Sequence, residues 1–373
     1  MKICRLSLID FELTFRVPLI TARGIFNRRK GIVVCGETDD GFSGIGEIAP
    51  LNGFSRESLP QARRSAQHVA NYLGYTEVPE HPEALAKVMG YLEDKLNTPP
   101  SVLFGFEMLL GDLAGKKAGL SLSNWFGGNP LSDVAVNAIL TGSLEDINTQ
   151  LVAKRAKDFQ VFKIKIDARG IKPALDKIKA VRNAVGDDVM IRLDLNRGLD
   201  FEEAVGLLNQ TKEFGIEYVE EPLKEPTTQG LMALREKTGL RIALDETVAE
   251  TEKFYDLLNS KACDVIVVKP MVLGGISKSA RLCEVSAAQG LKMVITSTLE
   301  SGIGVTACLH VAAMMGQHIL ASGLDTLDLF QDSIINEDLP IVCGHMNVPE
   351  GAGLGVTLKD SLIPPVTVHG ALE

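Results

Sequence analysis

The chain has 373 residues, a formal net charge of −10, and 45% hydrophobic against 23% charged residues, which is the balance of a folded globular protein. This length exceeds one ordinary domain and predicts either a large barrel-type domain with an addition or two domains. The acidic balance argues against nucleic acid as the main partner, because phosphate binding needs a basic face. No apolar run reaches the roughly 18–20 residues that span a bilayer, so we expect no membrane association.

The sequence indicates a reducing compartment and no zinc site. Residues 1–10 alternate apolar and polar residues as a strand does, and they lack the unbroken apolar core of a signal peptide. The six cysteines are scattered and form no CxxC pair, so we expect free thiols and a cytoplasmic location. The histidines show no HExxH or similar spacing, which argues against zinc.

Residues 1–120 are predicted to form an α+β capping domain. The first 50 residues alternate in the manner of strands, and Asp40-Gly41 is a hairpin-turn signal. Three stretches with apolar residues at helical spacing follow, near residues 57–73, 81–95 and 101–115.

Residues 121–330 are predicted to form an α/β domain of the (β/α)8, TIM-like barrel type. Short β-branched runs alternate with amphipathic helical runs about every 25–30 residues, which is typical of a parallel sheet. The eight predicted strands are 134–140, 162–166, 189–195, 218–222, 242–245, 264–269, 292–297 and 319–324. Eight units favour a closed barrel over an open doubly wound sheet, because no G-x-G-x-x-G follows the first strand. We expect residues 331–373 to return to the capping domain and complete it.

Three acidic residues end consecutive predicted strands. Asp194, Glu220 and Asp245 are 26 and 25 residues apart, so they occupy equivalent places in neighbouring βα units. Adjacent strands lie about 4.8 Å apart, so these carboxylates would repel one another unless a cation lies between them. Carboxylate oxygens suit Mg²⁺, which also leaves positions open for water or substrate.

A lone acid after a strand is more often a helix N-cap than a metal ligand, but three acids in equivalent places favour a metal site. In the pairs Glu220-Glu221 and Asp245-Glu246, the pleat of a strand sends the two side chains to opposite faces. We therefore predict that the first acid of each pair is a ligand and that the second lies outside the ligand set.

Lysines flank this predicted metal site from two sides. Lys163 and Lys165 are two residues apart on one predicted strand, so both side chains point to the same face. In a barrel interior, burial and like charge would lower a lysine pKa and produce a competent base. Lys269 ends the sixth predicted strand, which lies opposite the second in a ring of eight. A lone lysine is normally a solvated surface residue, but Lys269 follows the apolar run Val265–Val268.

These residues predict the removal of a proton next to a carboxylate. Mg²⁺ would bind the carboxylate of a small-molecule substrate and make its α-proton more acidic, while a lysine removes that proton. A lysine base paired with Mg²⁺ is an established catalytic pattern. A Schiff-base lysine is the rival barrel chemistry, but it has no use for three acids.

The chain resembles the muconate-lactonising subgroup of the enolase superfamily over nearly its whole length. The elements K-x-K, D-x-N, E-E-P, D-E and K-P occur in order, at residues 163–165, 194–196, 220–222, 245–246 and 269–270. Within the subgroup the chain is most similar to the o-succinylbenzoate synthase family of menaquinone biosynthesis. That similarity rests on the stretches 44–55, 100–105, 192–197, 297–304 and 323–329.

The resemblance implies Mg²⁺-dependent syn-dehydration of 2-succinyl-6-hydroxy-2,4-cyclohexadiene-1-carboxylate to o-succinylbenzoate, with Mn²⁺ as a substitute ion. It implies that Lys165 is the general base, that Lys163 helps to lower its pKa, and that Lys269 stabilises the enediolate as a cation. Arg192 and Asn196 would orient the metal ligands and the substrate.

By the same resemblance, Thr296, Ser297 and the backbone near Gly323 would contact the succinyl tail. Thr296 stands where the family pattern has a serine. The hydroxyl group remains, but the added methyl group leaves less room for the succinyl tail. The capping domain would cover the barrel mouth, with residues 21–25 as a loop over the site and Arg23 as a contact for an anionic substrate. An ordinary surface loop is the alternative for this stretch.

Other functions remain open on the sequence alone. An N-acylamino acid racemase has the same predicted site but needs both Lys165 and Lys269 to transfer protons. A dipeptide epimerase would need D-x-D after the eighth strand, where this chain has Asp325-Thr326-Leu327-Asp328. A mandelate-type enzyme would need a histidine in the place of Lys269. A non-catalytic barrel that only binds a metabolite is a further alternative, but the intact set of predicted metal ligands and lysines argues against it. A structural role is weaker still, because interior lysines and acids destabilise a core that has no use for them.

Overall fold

The computed structural model describes residues 1–21, 24–166 and 170–362, and it confirms the predicted α/β class. The strands in this part of the chain are β1 (Ile3–Thr21), β2 (Gly24–Thr38), β3 (Ser43–Ile48), β4 (Asp133–Ala135), β5 (Ala138–Leu140), β6 (Val161–Lys165), β7 (Met190–Asp194), β8 (Ile216–Glu220), β9 (Ile242–Leu244), β10 (Val265–Val268), β11 (Lys292–Ile295), β12 (Ile341–Val342) and β13 (His345–Asn347). The α-helices are α1 (Leu59–Leu73), α2 (Pro82–Leu96), α3 (Pro100–Ala118), α4 (Leu122–Phe126), α5 (Leu144–Arg155), α6 (Ile171–Val185), α7 (Phe201–Asn209), α8 (Thr228–Thr238), α9 (Thr251–Asn259), α10 (Pro270–Leu273), α11 (Ile276–Ala288) and α12 (Gly302–Met314). No helix among the described residues has the length and apolarity to cross a bilayer.

The N-terminal unit is an antiparallel sheet in the order β1-β2-β3, with α1, α2 and α3 packed on it. Two glycines let α3 lie directly on β3. A Cβ atom at Gly46 would lie 2.0 Å from the backbone oxygen of Gly105, and one at Gly105 would lie 2.3 Å from a side-chain carbon of Ile48. Any side chain at either position would therefore push the helix off the sheet, because interiors are close-packed.

The barrel domain contains a parallel sheet in the order β5-β6-β7-β8-β9-β10-β11. The predicted eighth strand, residues 319–324, is not a regular strand. It closes the barrel through isolated parallel bridges, from Ile319 and Gly323 to the β11 side and from Ser322 to Val136 beside β5. The eighth segment of the barrel is therefore held by single bridges and not by a regular strand ladder. It lies close to β11, since a Cβ atom at Gly323 would lie 2.4 Å from the hydroxyl oxygen of Thr296.

The first predicted strand, residues 134–140, is wrong as a single element. It is divided into β4 and β5, and β4 pairs antiparallel with β13 of the C-terminal segment, not with the barrel sheet. The C-terminal segment also contacts the N-terminal unit, since the backbone N–H of Gln331 donates to Thr14 at 2.9 Å. The domain boundaries near residues 120 and 330 stay a prediction, and residues 363–373 lie outside the described residues.

Three buried carboxylates of the N-terminal unit hold backbone N–H groups elsewhere in the chain. Glu107 accepts hydrogen bonds at the start of α11, Glu47 accepts them at the start of α12, and Asp112 accepts one from Leu354. Burial raises the pKa of all three carboxyl groups. A carboxylate at a helix N-terminus satisfies N–H groups that have no partner within the helix. Glu47 and Glu107 therefore fasten the N-terminal unit to the barrel, while Asp112 fastens it to the C-terminal segment.

The buried His310 in α12 makes folding stability depend on pH. Its Nδ1 lies 3.2 Å from the hydroxyl of Ser123, and its Nε2 lies 3.1 Å from the backbone oxygen of Leu354. Burial lowers its pKa from 6.5 to about 4, so the unfolded chain takes up a proton first as the pH falls. The stability that depends on a neutral ring is complete above pH 6.5 and is lost as the pH falls toward 4. This loss is about 2 to 3 kcal/mol of unfolding free energy between pH 7 and pH 4.5.

The substitution His310→Gln keeps an N–H donor for the carbonyl of Leu354 but removes the titrating group. Urea denaturation of both proteins at pH 7 and pH 4.5 measures the effect. Because all other titrating groups are shared, the wild type should lose about 2 to 3 kcal/mol more than the variant. Equal losses in the two proteins would contradict this prediction.

Candidate active site

The carboxyl ends of β6, β7 and β8 carry predicted site residues in register. Lys165 lies beside Asp194, and Asp194 lies beside Glu220. Glu220 lies beside Ala243 in β9, so Asp245 follows two residues farther along the chain. Because register partners in a parallel sheet project from the same face, the three acids form a row across adjacent strands.

The paired lysines of β6 lie against this row. The Nζ of Lys163 lies 2.6 and 2.8 Å from the two carboxylate oxygens of Glu220. It also lies 3.2 Å from Oδ2 of Asp194, and the Nζ of Lys165 lies 3.1 Å from the same oxygen. The structure therefore brings both lysines to the predicted metal ligands.

Lys269 reaches the row from the other side. It follows β10 and forms an ion pair with Asp245, and the sheet order places β7, β8 and β9 between it and β6. The side chain of Lys165 is 36% exposed, against 13% for Lys163 and 18% for Lys269. Of the three ammonium groups, that of Lys165 is thus the most accessible to a substrate.

The pKa of Lys163 differs from the sequence-based expectation, whereas the pKa of Lys269 is in line with its predicted role as a cation. Burial disfavours the charged form of each lysine, but the carboxylates of Asp194 and Glu220 outweigh it and raise the pKa of Lys163 well above its ordinary value. Asp245 outweighs burial in the same way and raises the pKa of Lys269. The expectation of a lowered pKa is wrong for Lys163, because it counted the neighbouring positive charge and omitted the direct contacts with acids.

The acids themselves are crowded. Burial, together with repulsion from Asp194, raises the pKa of Glu220 to about 8. Burial also opposes ionisation of Asp194, but the ammonium groups of Lys163 and Lys165 outweigh it and hold the pKa of that carboxyl below its ordinary range. The Oδ2 atom of Asp194 is buried, and its charged neighbours are the ammonium groups of Lys163 and Lys165. A cation among these groups would relieve the repulsion that raises the pKa of Glu220.

The chemistry of this donor set fits Mg²⁺, because all three predicted ligands offer hard carboxylate oxygens. In residues 1–21, 24–166 and 170–362, however, no three Asp, Glu, His or Cys side chains are gathered closely enough to hold a metal ion. The ammonium groups of Lys163 and Lys269 instead balance the charge of Glu220 and Asp245. Metal binding would have to replace these contacts, and the ligand assignment stays a prediction.

Asn196 connects the predicted base to its surroundings. Its Oδ1 accepts a hydrogen bond from the Nζ of Lys165 at 3.1 Å, and its Nδ2 donates to Glu246 at 3.1 Å. Its backbone N–H donates to Oδ1 of Asp194, also at 3.1 Å. Asn196 therefore orients a predicted base and a predicted ligand, while its contact with substrate stays a prediction.

Arg192 lies within the barrel wall and is completely buried. Its Nε donates to Glu217 at 2.6 Å, its Nη1 donates to Asn137 at 3.0 Å, and its guanidinium stacks on the ring of Tyr218. These contacts occupy most of the guanidinium group. Arg192 lies two residues before Asp194 on β7. The contacts fit a role in supporting the strand ends, and the predicted role toward substrate is untested.

Thr296, Ser297 and Gly323 lie together, as predicted, where β11 meets the irregular eighth segment. The hydroxyl of Thr296 donates to the backbone oxygen of Gly323 at 2.9 Å, and that of Ser297 lies 2.9 Å from the hydroxyl of Thr326. The group offers hydroxyl and backbone donors and acceptors, and its contact with a substrate tail stays a prediction.

Arg23 lies outside the described residues, so its predicted contact with substrate is untested. Of the predicted loop at residues 21–25, Thr21 lies in β1 while Gly24 and Ile25 lie in β2, and these two strands pair as one long hairpin. This hairpin packs beside the barrel, where the ring centroids of Phe15 and Phe330 lie 4.8 Å apart.

Glu221 is a buried residue whose detailed role the sequence did not reveal. Its Oε1 accepts hydrogen bonds from the backbone N–H groups of Asp245 and Thr247 at 2.9 and 2.7 Å, and its Oε2 accepts one from Arg197 at 3.1 Å. Glu221 has a left-handed backbone with φ of 42°. The sequence predicted only that Glu221, the second acid of the E-E pair, lies outside the ligand set. The fold shows that Glu221 holds the backbone that carries Asp245.

A pocket of about 150 Å³ opens beside Lys269, Asp245 and Glu246. Its other walls are apolar and come from both units: Phe54, Val248, Ala249, Val267, Val272 and Leu273. Sequence reasoning missed these residues, because apolar side chains in loops carry no chemical signal until the fold brings them together. The pocket gives the site an apolar surface beside Lys269.

Two family models match the chain. The model described as "Enolase C-terminal domain-like" matches residues 147–362, and the one described as "MenC, N-terminal domain" matches residues 3–113.

Known proteins resemble the chain over nearly its full length. Chloromuconate cycloisomerase CbnB from Cupriavidus necator is 26% identical, covering 96% of this chain and 97% of that protein. An N-succinyl-L-Arg/Lys racemase from Bacillus cereus is 24% identical, covering 99% and 98%. The crystal structure of a dipeptide epimerase from Enterococcus faecalis, complexed with Mg and the dipeptide L-Leu-L-Tyr, is 25% identical with a TM-score of 0.86 and covers 96% of this chain and 100% of its own.

Proposed function

This chain belongs to the enolase superfamily, and from that premise we propose that it is an o-succinylbenzoate synthase, a Mg²⁺-dependent hydro-lyase. Membership makes it an enzyme of isomerase or lyase type, and the lyase reaction is the proposal. The substrate would be a small-molecule carboxylate, 2-succinyl-6-hydroxy-2,4-cyclohexadiene-1-carboxylate. The match of residues 3–113 to an N-terminal domain of this synthase type supports the assignment.

One observation carries the proposal: lysines stand on both sides of a row of three carboxylates at the strand ends. Lys165 is in register with Asp194 on one side, and Lys269 contacts Asp245 on the other. A carboxylate held at the centre of this row would present its α-carbon to amines on two sides. This arrangement suits proton removal next to a carboxylate.

In the proposed reaction, Lys165 removes the α-proton. The C–H bond breaks, its electron pair forms the new ring double bond, and the bond from carbon to the leaving hydroxyl breaks. Because the elimination is syn, the hydroxyl leaves on the face of Lys165, whose ammonium group can return the proton and release water. Asn196 orients the amine of Lys165, and Lys269 balances the negative charge that develops on the carboxylate. Mg²⁺ held by the three acids would make the α-proton more acidic and stabilise that charge.

The surroundings of the site favour this substrate over a dipeptide. Asp325, which follows the eighth segment, is 2% exposed and already paired with Lys154. Its charge is therefore balanced within the protein, and a substrate ammonium group would have to displace that lysine. The apolar pocket beside Lys269 suits the hydrocarbon ring of the proposed substrate.

An N-succinylamino acid racemase is the second candidate, and the same lysine arrangement supports it. Racemisation needs one base on each side of the α-carbon, which Lys165 and Lys269 could provide. The similarity to the racemase from Bacillus cereus supports this alternative.

The decisive experiment offers the purified protein the cyclohexadiene acid and, separately, N-succinylamino acids in D₂O with Mg²⁺. We expect the first compound to lose water and become o-succinylbenzoate, which ultraviolet absorbance and NMR detect. Proton NMR of the second set measures whether deuterium enters the α-position.

Dehydration without α-exchange would support the synthase alone. Exchange without dehydration would replace the synthase by the racemase, and both together would indicate one site with two activities. Neither reaction, in a folded protein with Mg²⁺, would contradict both proposals. The Lys165→Ala protein serves as the control for contaminating enzyme.

A further inference from the structure

The segment between β11 and α12, residues 296–301, is held in an unusual conformation. Leu299 has a left-handed backbone with φ of 62°, although it is neither glycine nor asparagine. Such a conformation is unfavourable for a branched side chain and persists only where the surroundings fix it. The segment begins at Thr296 and Ser297, the polar wall of the candidate site.

Arg29 of β2 fixes this segment through its backbone. The side chain is 1% exposed. Its Nε donates to the backbone oxygen of Leu299 at 2.8 Å, and its Nη2 donates to that of Thr298 at 3.4 Å. The same guanidinium donates to the backbone oxygens of Ala49 and Pro50 in the N-terminal unit. One buried cation thus joins the two units at the strained residue.

Glu47 of β3 fixes the other end of the segment. It accepts hydrogen bonds from the backbone N–H and the hydroxyl of Ser301 at 2.9 and 2.6 Å. It also accepts one from the backbone N–H of Gly304 at 2.8 Å. These bonds place a carboxylate at the N-terminus of α12, where the helix dipole favours negative charge.

Glu300 carries a second buried carboxylate close to that of Glu47, and it lies within the segment 296–301. It is 1% exposed and accepts a hydrogen bond from the backbone N–H of Thr298, while its Oε1 has no hydrogen-bond partner. A Cβ atom at Gly304 would lie 2.5 Å from the Cβ of Glu300 and 3.1 Å from Oε2 of Glu47. The absence of a side chain at Gly304 is what allows both carboxylates to fit.

Negative groups outnumber positive groups around this segment, since the carboxylates of Glu47 and Glu300 both lie near the single guanidinium of Arg29. Burial, with repulsion from Glu47, raises the pKa of Glu300 to about 7, against the attraction of Arg29. Keeping a second, incompletely paired carboxyl group in the interior is costly. The presence of Glu300 in the interior is therefore not explained by a contribution to stability.

We propose that Arg29, Glu47 and Glu300, here called the buried charge cluster, position the hydroxyl wall of Thr296 and Ser297 for the substrate. The cluster would make Glu300 a positioning residue that acts through the Thr298 backbone, and would link specificity to docking of the N-terminal unit. This inference deepens the proposed function and rests on it, because the wall matters only if a substrate tail contacts it.

The test compares Glu300→Ala with Glu300→Gln. Alanine removes the acceptor for the Thr298 N–H, whereas glutamine keeps a carbonyl oxygen there. We expect alanine to raise KM about tenfold with kcat within about twofold of wild type, because a hydrogen bond to a charged group is lost away from the reacting atoms. Glutamine should restore KM to within about threefold of wild type.

Glu57→Ala is the matched control. Glu57 is a buried carboxylate that accepts a hydrogen bond from the backbone N–H of Ser101 at 2.9 Å, and both residues lie within the N-terminal unit. Its loss should lower the melting temperature and leave KM unchanged. Hydrogen exchange of the amides of residues 296–304, measured without substrate, should accelerate at least about tenfold in Glu300→Ala and not in the control.

If the wild type lacks turnover, the proposed function fails, and the exchange data still report on the cluster. If the wild type is active but Glu300→Ala changes neither KM nor exchange of the segment, the cluster only supports the fold and this inference is overturned. Glutamine behaving like alanine in both measurements would also overturn it, because the carbonyl acceptor would then not be what positions the wall.

Discussion

Replacing Lys165 with alanine is expected to lower kcat by a factor of about 10³ to 10⁴, since general-base catalysis contributes an effect of this order. Lys165 is the most exposed of the three lysines at the site and is oriented by Asn196. The remaining lysines are each held by acids of the row. Lys163 shares the face of Lys165 but is more buried and is paired with Glu220, and Lys269 lies on the other side, so the loss should be nearly complete.

Steady-state rates for the proposed dehydration measure this effect, and calorimetric titration with Mg²⁺ shows whether the metal still binds. We expect metal binding to survive, because Lys165 is not a predicted ligand. The matched control is Lys359→Ala, which removes a partly exposed lysine paired with Asp332 in the C-terminal segment. Activity near that of the control would remove the assignment of Lys165 as the base.

Removal of divalent metal is expected to abolish turnover, and added Mg²⁺ or Mn²⁺ is expected to restore it. The three acids supply only carboxylate oxygens, which suit both ions. Glu220→Gln should weaken Mg²⁺ binding by at least about 100-fold, because even substitutions outside the ligand set typically cost 10- to 100-fold. EDTA treatment followed by metal addition tests the first statement, and calorimetric titration tests the second.

Asp332→Asn is the matched acid control, since its carboxylate is exposed and paired with Lys359. It should bind Mg²⁺ as the wild type does. Turnover that is indifferent to EDTA would defeat the metal assignment. Unchanged Mg²⁺ affinity in Glu220→Gln would defeat the assignment of Glu220 while leaving metal dependence open to measurement.

The sequence predicted the row of acids and lysines because the relevant information is local. Intervals of 26 and 25 residues between Asp194, Glu220 and Asp245 reflect one repeating βα unit. The two-residue spacing of Lys163 and Lys165 reflects the alternation of a strand. In a parallel sheet with regular register, such spacings fix which side chains share a face, and the structure has that register.

The sequence could not predict contacts that depend on distant segments. The first predicted strand was divided because β13, some 200 residues later in the sequence, pairs with β4. The burial of Arg192 depends on Asn137, which lies between β4 and β5, and on Glu217 in β8. The raised pKa of Lys163 depends on its contacts with Asp194 and Glu220 on two other strands, and no spacing rule describes those contacts.

The carboxylates that fasten the N-terminal unit have a consequence for how the chain acquires its structure. Each of these carboxylates accepts a hydrogen bond from a backbone N–H group far along the sequence. The separation is 169 residues for Glu107, 257 for Glu47 and 242 for Asp112. During synthesis the N-terminal unit therefore leaves the ribosome with three acids hydrated and without their final partners. Contacts of such high sequence separation slow folding, so we expect this unit to mature only after almost the whole polypeptide has been made.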